Sequence, residues 1–305
     1  MAETALVTGA HGFIGRHVAR RLADDGWVVR GLGHGEWPRE QWRAWGLADW
    51  RQTDVALDPL VTFGGEPDVI VHCAGGASVS FSMAHPHHDF VRTVASTAAV
   101  LEYVRLHAIG ARVVLASSAG VYGEAFPGPI PETGPCKPVS PYGVHKAVAE
   151  DLCRSYGRSC GVASASLRLF SVYGAGLRKQ LLWDACDKAA RGDLRFFGTG
   201  GEMRDWLHVT DAAAALVAAI PMAATDCPIV NGGTGRATST REILTALFRA
   251  LGVAGEPEFT GTARAGDPPS LVADVSRAHS LSWKPTVEWE QGVGAYAAWY
   301  RAGAP

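Results

Sequence analysis

Short apolar runs alternate with longer amphipathic segments through the first half of the chain. The run at 5–8, ALVT, predicts a buried strand, and a helix beginning near Phe13 follows it, amphipathic through RHVARRLADD and closed by Gly26. Trp27–Leu32 predicts a second strand, and a third ends near Asp54 and Val55. DVIVHC at 68–73, 112–116 and 164–170 predict three more. Phe90–His107 reads as a long helix, and a second begins at Ser140 and Pro141, residues suited to a helix start. Four tryptophans, Trp37, Trp42, Trp45 and Trp50, are spaced like one face of a short helix, and 78–86 reads as a hydroxyl-bearing loop. Farther on, Ser239 with Glu242 forms a capping-box signature. The alternation predicts an α/β protein.

Glycines punctuate the first strand-to-helix connection, VTGAHGFIG. Gly9 permits a tight turn off the strand, Gly12 leaves no side chain at the helix start, and Gly15 lets helix and strand approach. Free amides at that helix start face an anion. The spacing G-x-x-G-x-x-G, with no Gly-Lys-Ser/Thr after it, points to a dinucleotide pyrophosphate and away from an ATPase phosphate loop.

Composition narrows the partners. The 305 residues carry a formal charge of -2, which supports neither a nucleic-acid surface nor a polybasic membrane anchor. The six cysteines never approach C-x-x-C spacing, and the start of the chain has no signal-like core. A reduced, cytoplasmic protein without a structural metal is expected, and the longest apolar helical run, Ala212 to Ile220, is too short to span a bilayer.

The second strand ends in Gly31, Leu32, Gly33 and His34, where an NAD site usually places an acid for the ribose 2'-hydroxyl. Gly33 leaves room for a 2'-phosphate and His34 offers it a partial charge, which favours NADP(H), with NAD(H) as the alternative. The strand at 68–73 delivers Cys73, Ala74, Gly75 and Gly76 into a loop where small residues let a cofactor lie against backbone. His72 reads as a packed, hydrogen-bonded histidine.

Tyr142 and Lys146, four apart on one helix, share a face. A free phenol near pKa ~10 is a poor base at neutral pH, but a lysine cation and a positive nicotinamide favour the phenolate. Tyr142 then moves a proton while the cofactor moves a hydride, Ser118 bonds the same substrate oxygen, and Lys146 also holds the nicotinamide ribose.

With these residues in order, the chain resembles an extended short-chain dehydrogenase/reductase of the NAD-dependent epimerase/dehydratase branch that acts on nucleotide sugars. The motifs are VTGAHGFIG, Asp54-Val55, HCAG at 72–75, SSAGVYG at 117–123, PYGVHK at 141–146, LRLFSVYG at 167–174 and RDWLHVTD at 204–211. The resemblance implies a Rossmann-type doubly wound parallel sheet with a smaller C-terminal α/β substrate domain. Residues 1–170, with 205–232 returning, form the dinucleotide domain; 171–204 and 233–305 form the sugar-nucleotide domain. It implies Ser118, Tyr142 and Lys146 as the catalytic set. Chemistry and resemblance together place the cofactor against Gly9, Gly12, Phe13, Ile14, Gly15, Gly33, His34, Asp54, Val55, Cys73, Ala74, Gly75, Thr93, Ala116, Tyr142, Lys146 and Phe170. They place the nucleotide-diphosphate sugar against Ser78, Ser118, Tyr142, Ser171, Arg204 and Arg264, with LRFFGTG at 194–200 around the nucleobase. Two arginines suit a pyrophosphate because a planar fork gives paired, charge-assisted bonds. Ser171 and Thr93 both stand where the family usually has Asn. Asp205 and His208 read as structural. A homodimer through helices at 93–107 and 145–156 is expected from the resemblance.

Dehydration is disfavoured because Ser118-Ala119-Gly120 replaces the Thr-Asp-Glu set that reaction needs. The missing ribose acid favours NADPH-dependent reduction of a nucleotide-linked 4-keto-6-deoxy sugar, with Tyr142 as general acid. The alternative is a UDP-glucose-like nucleotide-sugar 4-epimerase with tightly held NAD. A sensor or scaffold reading is disfavoured by the intact Ser118, Tyr142 and Lys146.

Overall fold

A computed structural model describes residues 2–123, 126, 128–262 and 268–304. Its thirteen strands among the described residues are β1 (Thr4–Thr8), β2 (Val28–Gly33), β3 (Leu47–Gln52), β4 (Val69–His72), β5 (Arg112–Ser118), β6 (Ser164–Leu169), β7 (Ser171–Tyr173), β8 (Arg195–Phe196), β9 (Met203–His208), β10 (Ile229–Gly232), β11 (Ala237–Ser239), β12 (Glu258–Phe259) and β13 (Ser270–Leu271). Seven of them form one parallel sheet in the order β3-β2-β1-β4-β5-β6-β10. The strand order reverses between β1 and β4, so a crevice opens beyond their carboxyl ends.

Both faces of the sheet are covered, which explains why its central strands read as continuous apolar runs. Val69 and Val71 pack to one side with Val18, Leu22, Ala212 and Leu216 of helices Phe13–Asp24 and Val209–Ala218. Ile70 and Leu115 pack to the other with Leu60, Val100, Val104, Ala149 and Cys153. His72 ends β4 with no solvent contact, bonded between Thr8 Oγ1 at 2.6 Å and Thr97 Oγ1 at 3.2 Å. Burial and the Lys146 charge hold it down to about 3, so it is a neutral core histidine.

A smaller α/β region follows β6. β7, β9, β11 and β13 make a second sheet and β8 pairs with β12. Helices Gln180–Ala190, Thr240–Leu251 and Trp289–Arg301 close over Leu182, Phe196, Leu244, Phe248, Val293 and Tyr296. The Ser239–Glu242 capping box is present, and Asp205 is fully buried, accepting from the amides of Thr234, Gly235 and Ala273.

Three local expectations are corrected. Residues Val79–Ala84 form a helix capped by Ser78, whose hydroxyl accepts from Phe81 N. The long helix is composite: Pro86–Phe90, a π-helical turn over Val91–Ala95, then Ser96–Leu106. The wide turn frees carbonyls that hydroxyls take up, Ser96 Oγ donating to Arg92 O and Thr97 Oγ1 to Thr93 O, each at 2.6 Å. Finally, Trp37 precedes a helix, Trp42 lies in it and Trp50 is on β3; they meet by packing rather than by helical spacing, with Trp37 and Trp50 edge-on at 5.2 Å. No described helix is long and apolar enough to cross a membrane.

Candidate active site

At the crevice, Gly9 adopts φ +68, and a Cβ there would lie 2.8 Å from Ala74 N. A Cβ on Gly15 would lie 2.2 Å from Gly9 O, so these glycines set how closely β1, its helix and the loop after β4 can approach. Gly12 starts the helix with no side-chain cap, leaving its first amides directed at an anion. The cleft beyond has a volume of about 2070 Å³, enough for two extended ligands where a single drug-sized ligand takes roughly 300–1,000 Å³. Gly9, Gly12, Gly33, Asp54 and Gly75 of the parallel-sheet region line it together with Ser171, Lys179, Phe196 and Arg204 of the region after β6.

Ser118, Tyr142 and Lys146 line the same cleft. Helix Pro141–Cys160 begins at Ser140, whose hydroxyl accepts from Gly143 N at 3.2 Å, and Ser82 Oγ accepts from Tyr142 N at 3.1 Å. Gly120 keeps the ring's approach open, since a Cβ there would stand 3.2 Å from Tyr142 Cε1 and 3.4 Å from Ser118 Oγ. Burial pushes the Tyr142 phenol up, its hydrogen bond to Ser118 draws it down and the Asp89 carboxylate raises it again.

Lys146 is 5% exposed and donates to Ala116 O at 2.8 Å, with Nζ 6.0 Å from the Tyr142 ring centre. Burial lowers it to about 8 against the opposing pull of Cys73, Asp89 and Glu150, which still leaves it mainly cationic at neutral pH. Burial pushes the Cys73 thiol up to about 12, so it stays protonated beside the cleft.

Other expected residues fall as follows. Phe13, Ile14, Gly15, Val55, Ala74, Ala116, Phe170 and Ser78 line the cleft. Thr93 is buried, and its hydroxyl accepts from Gly76 N at 2.8 Å. Arg204 lines the cleft and donates to Met203 O at 2.8 Å. Arg264 lies outside the described residues. His208 caps the helix Val209–Ala218. Among the described residues no three His, Cys, Asp or Glu side chains converge on a metal site.

Lys179 and Gln180 were not singled out, although the family resemblance lays the nucleotide across the start of 174–193, where both fall. They line the cleft at the start of Gln180–Ala190, Gln180 in the left-handed region at φ +68 and Lys179 lowered by burial. A lysine followed by a helix was visible in the sequence, but the left-handed backbone at Gln180 was not; Lys179 itself is extended, at φ -163 and ψ 175.

A glycine cradle at the switch point of a parallel sheet, with a serine, a tyrosine and a lysine beside it, defines a dinucleotide-dependent enzyme of the extended short-chain dehydrogenase/reductase class. The chain belongs to the NAD dependent epimerase/dehydratase family, whose profile matches residues 5–231, and it is an enzyme acting on nucleotide sugars. It is 32% identical over 310 residues to the putative UDP-glucose 4-epimerase of Methanocaldococcus jannaschii, covering 97% of this chain and 98% of that protein. It is also 32% identical over 325 residues to the UDP-glucose 4-epimerase of Azospirillum brasilense, covering 97% and 92%. In structure it is similar to the UDP-glucuronic acid 4-epimerase of Bacillus cereus in complex with UDP-glucuronic acid and NAD, with TM-score 0.87, 26% identity and coverage of 98% and 99%.

These likenesses overturn two expectations. The preference for NADPH-dependent keto-sugar reduction gives way, since the relatives are 4-epimerases over nearly the full chain. The preference for NADP(H) gives way to NAD, the cofactor in the B. cereus complex. The geometry supplies a physical reason: His34 Nε2 lies 3.1 Å from Asp54 Oδ1, so the group assigned to a 2'-phosphate already faces a carboxylate that would repel one.

Proposed function

We propose that this enzyme is a UDP-sugar 4-epimerase that retains NAD through turnover. The observation that supports the reading is that Ser118, Tyr142 and Lys146 line one cleft together with the glycine cradle and with Phe196 and Arg204. NAD fits the glycine cradle, which added side chains would fill, and when bound it supplies a hydride acceptor and donor. Tyr142 takes the proton of the sugar's C4 hydroxyl and later returns it. Ser118 bonds the same oxygen and orients it toward the phenol. Lys146, anchored on Ala116 O, holds positive charge beneath the phenol and a donor for the nicotinamide ribose. Gly9, Gly12 and Gly15 receive the pyrophosphate; Asp54 and Val55 take the adenosine end. Arg204, Lys179 and Arg264 supply charge for the sugar's diphosphate, and Phe196 with Phe197 offers apolar surface to uracil.

The division into a dinucleotide domain (1–170 and 205–232) and a substrate domain (171–204 and 233–305) is supported by β10 joining the parallel sheet and the helix Val209–Ala218 packing on it, although β9 keeps residues 205–208 in the second sheet with β7, β11 and β13. A homodimer is supported by exposed Phe90, Val91, Leu106 and Val144 on the two helices expected to pair, and light scattering tests it. A reducing, cytoplasmic setting is supported by six free cysteines.

The test is to release and identify the copurified dinucleotide and to incubate the enzyme with UDP-glucose and UDP-glucuronic acid. NAD together with C4 interconversion and no net redox change is expected. Turnover that consumes added NADPH only with a 4-keto sugar would overturn the proposal.

A further inference from the structure

The turn between β8 and β9 wraps a carboxylate that the chemistry described above leaves unused. Glu202 Oε1 accepts from Thr199 N at 2.7 Å and from Thr199 Oγ1 at 3.0 Å, and Oε2 accepts from Gly200 N at 3.0 Å. Thr199 Oγ1 in turn accepts from Gly201 N at 3.1 Å. The successive amides of Thr199, Gly200 and Gly201 are thus directed onto one acid and its hydroxyl partner. Glycine makes the wrap possible. Gly198 adopts φ +101, and a Cβ there would lie 2.7 Å from Glu202 Oε1; Gly200 adopts φ +81, and a Cβ there would lie 2.7 Å from the Phe259 ring.

The outer side of the turn is tied as closely. Gly261 N donates to Gly198 O at 3.0 Å, Arg241 N to Gly200 O at 2.9 Å and Thr240 N to Glu202 O at 3.0 Å. The same turn is cleft wall: Phe197, Gly198, Thr199, Gly201 and Glu202 all line the cleft, as does Arg204 at the start of β9. Phe197, 67% exposed, stands at the entry to the turn.

An acid in the wall of a cleft that takes a diphosphate has the wrong sign of charge for its ligand. Its presence calls for another use, and the turn supplies one. Burial works against the Glu202 carboxylate, yet the amides and the hydroxyl around it hold it below the usual carboxylate range. An ionised carboxylate only accepts, so both oxygens can serve the turn. An amide in its place would set an NH2 group against one of the two backbone donors.

We infer that Glu202 is a positioning residue for nucleobase recognition: it sets the shape of the 198–201 turn and thereby holds Phe197 and the turn's edge as the surface on which the base lies. The inference deepens the proposed function and rests on its placement of the base beside Phe196 and Phe197. The diphosphate is left to the cations, so Glu202 acts on the base end of the ligand alone. Glu202→Gln then weakens a ligand by what its base contributes. Gly198→Ala, which keeps the carboxylate and takes its room, does the same, and the two changes together cost little more than either alone.

The experiment is calorimetric titration of the NAD-saturated enzyme with UDP, CDP, GDP and ADP, and separately with inorganic pyrophosphate, for the parent, Glu202→Gln and Gly198→Ala. The nucleotide that binds the parent most tightly is expected to lose about tenfold in affinity in each variant, the scale of one base–aromatic contact, while pyrophosphate stays within about twofold. Thermal unfolding and retained NAD, followed alongside, check the fold, and should one variant not fold the other carries the contrast. A purely structural role would lower thermal stability and shift both classes of ligand together or neither. In either folded variant, an unchanged nucleotide affinity or an equal loss for nucleotide and pyrophosphate would overturn the proposal. So would a parent that binds no nucleotide more tightly than pyrophosphate. Preference for a base other than uracil, or lack of epimerisation by the parent, would refute the proposed function and leave the Glu202 result standing.

Discussion

Replacing Arg168 by Met should destabilise the fold by about 3 kcal/mol, the lower end of the roughly 3–5 kcal/mol seen when one partner of a buried ion pair is removed. Arg168 on β6 is 2% exposed, and its fork meets Glu150 twice, Nε to Oε1 at 3.0 Å and a terminal nitrogen to Oε2 at 2.8 Å. Ser117 Oγ donates to the same Oε1 at 2.6 Å, and the guanidinium lies 4.8 Å from the centre of the Tyr122 ring. Without Arg168, Glu150 keeps the Ser117 hydroxyl and a distant Arg154 at 4.0 Å, which is why the lower figure applies. At roughly 2 °C per kcal/mol for a chain of this size, the melting temperature falls by about 6 °C.

The assay is urea unfolding followed by tryptophan fluorescence, with the dinucleotide removed so that ligand linkage does not mask the change. The triple variant Ser117→Ala, Glu150→Met, Arg168→Met removes the buried carboxylate with its arginine and serine partners, leaving Glu132 O and Cys136 Sγ without the guanidinium, and should recover most of the loss, to within about 1 kcal/mol of the parent. A single Arg168→Met within 1 kcal/mol of the parent, or a triple variant as unstable as the single, would refute the reasoning. Because Glu150 ties the helix of Tyr142 and Lys146 to β5 and β6, the single variant should also lose activity before it loses structure.

Tyr142→Phe should lower kcat by about 10²–10⁴ while dinucleotide binding, measured by calorimetry, stays near the parent value. Gly15→Ala should abolish dinucleotide retention and lower stability by about 1–3 kcal/mol or more, because the new Cβ meets the rigid carbonyl of Gly9; retained cofactor in the purified variant would contradict this. Stability should fall as pH drops below about 6.5, since His72 and His17 are held down to about 3 and about 4, His17 by burial and then by His208 and Arg16. Between those values and 6.5 the unfolded chain binds protons that the folded chain does not, so each contributes a loss of about 2–3 kcal/mol by pH 4. His17→Gln should flatten that dependence in unfolding curves taken at pH 4 and pH 7.

The parallel sheet was legible because its strands are buried on both faces and leave apolar runs bounded by glycine. The cradle and the Tyr142–Lys146 face were legible because each is local, set by spacing within one turn or one helix. The cofactor choice was misread because it turns on a pairing across strands: Gly33 and His34 looked open to phosphate, but Asp54, twenty residues on, swings against His34. Asp89 and His145 were passed over for a related reason. They are 56 residues apart, and only the packing of two helices brings an ordinary acid and an ordinary histidine into one buried pair. Gln180 shows a third limit, as its left-handed backbone has no glycine or asparagine to announce it.

The π-helical turn at Val91–Ala95 makes helical phase part of the active-site architecture. A π turn holds about one residue more than an α turn, so the segments on either side are rotated by roughly 100° relative to an unbroken helix. Pro86–Phe90 thereby aims Asp89 at the Tyr142 helix, while Ser96–Leu106 keeps Val100 and Val104 in the core. Deleting a single residue here would restore regular hydrogen bonding and still be damaging, since one of the two segments would have to present its wrong side. Insertions and deletions in this helix are therefore constrained by chemistry at one end and by packing at the other.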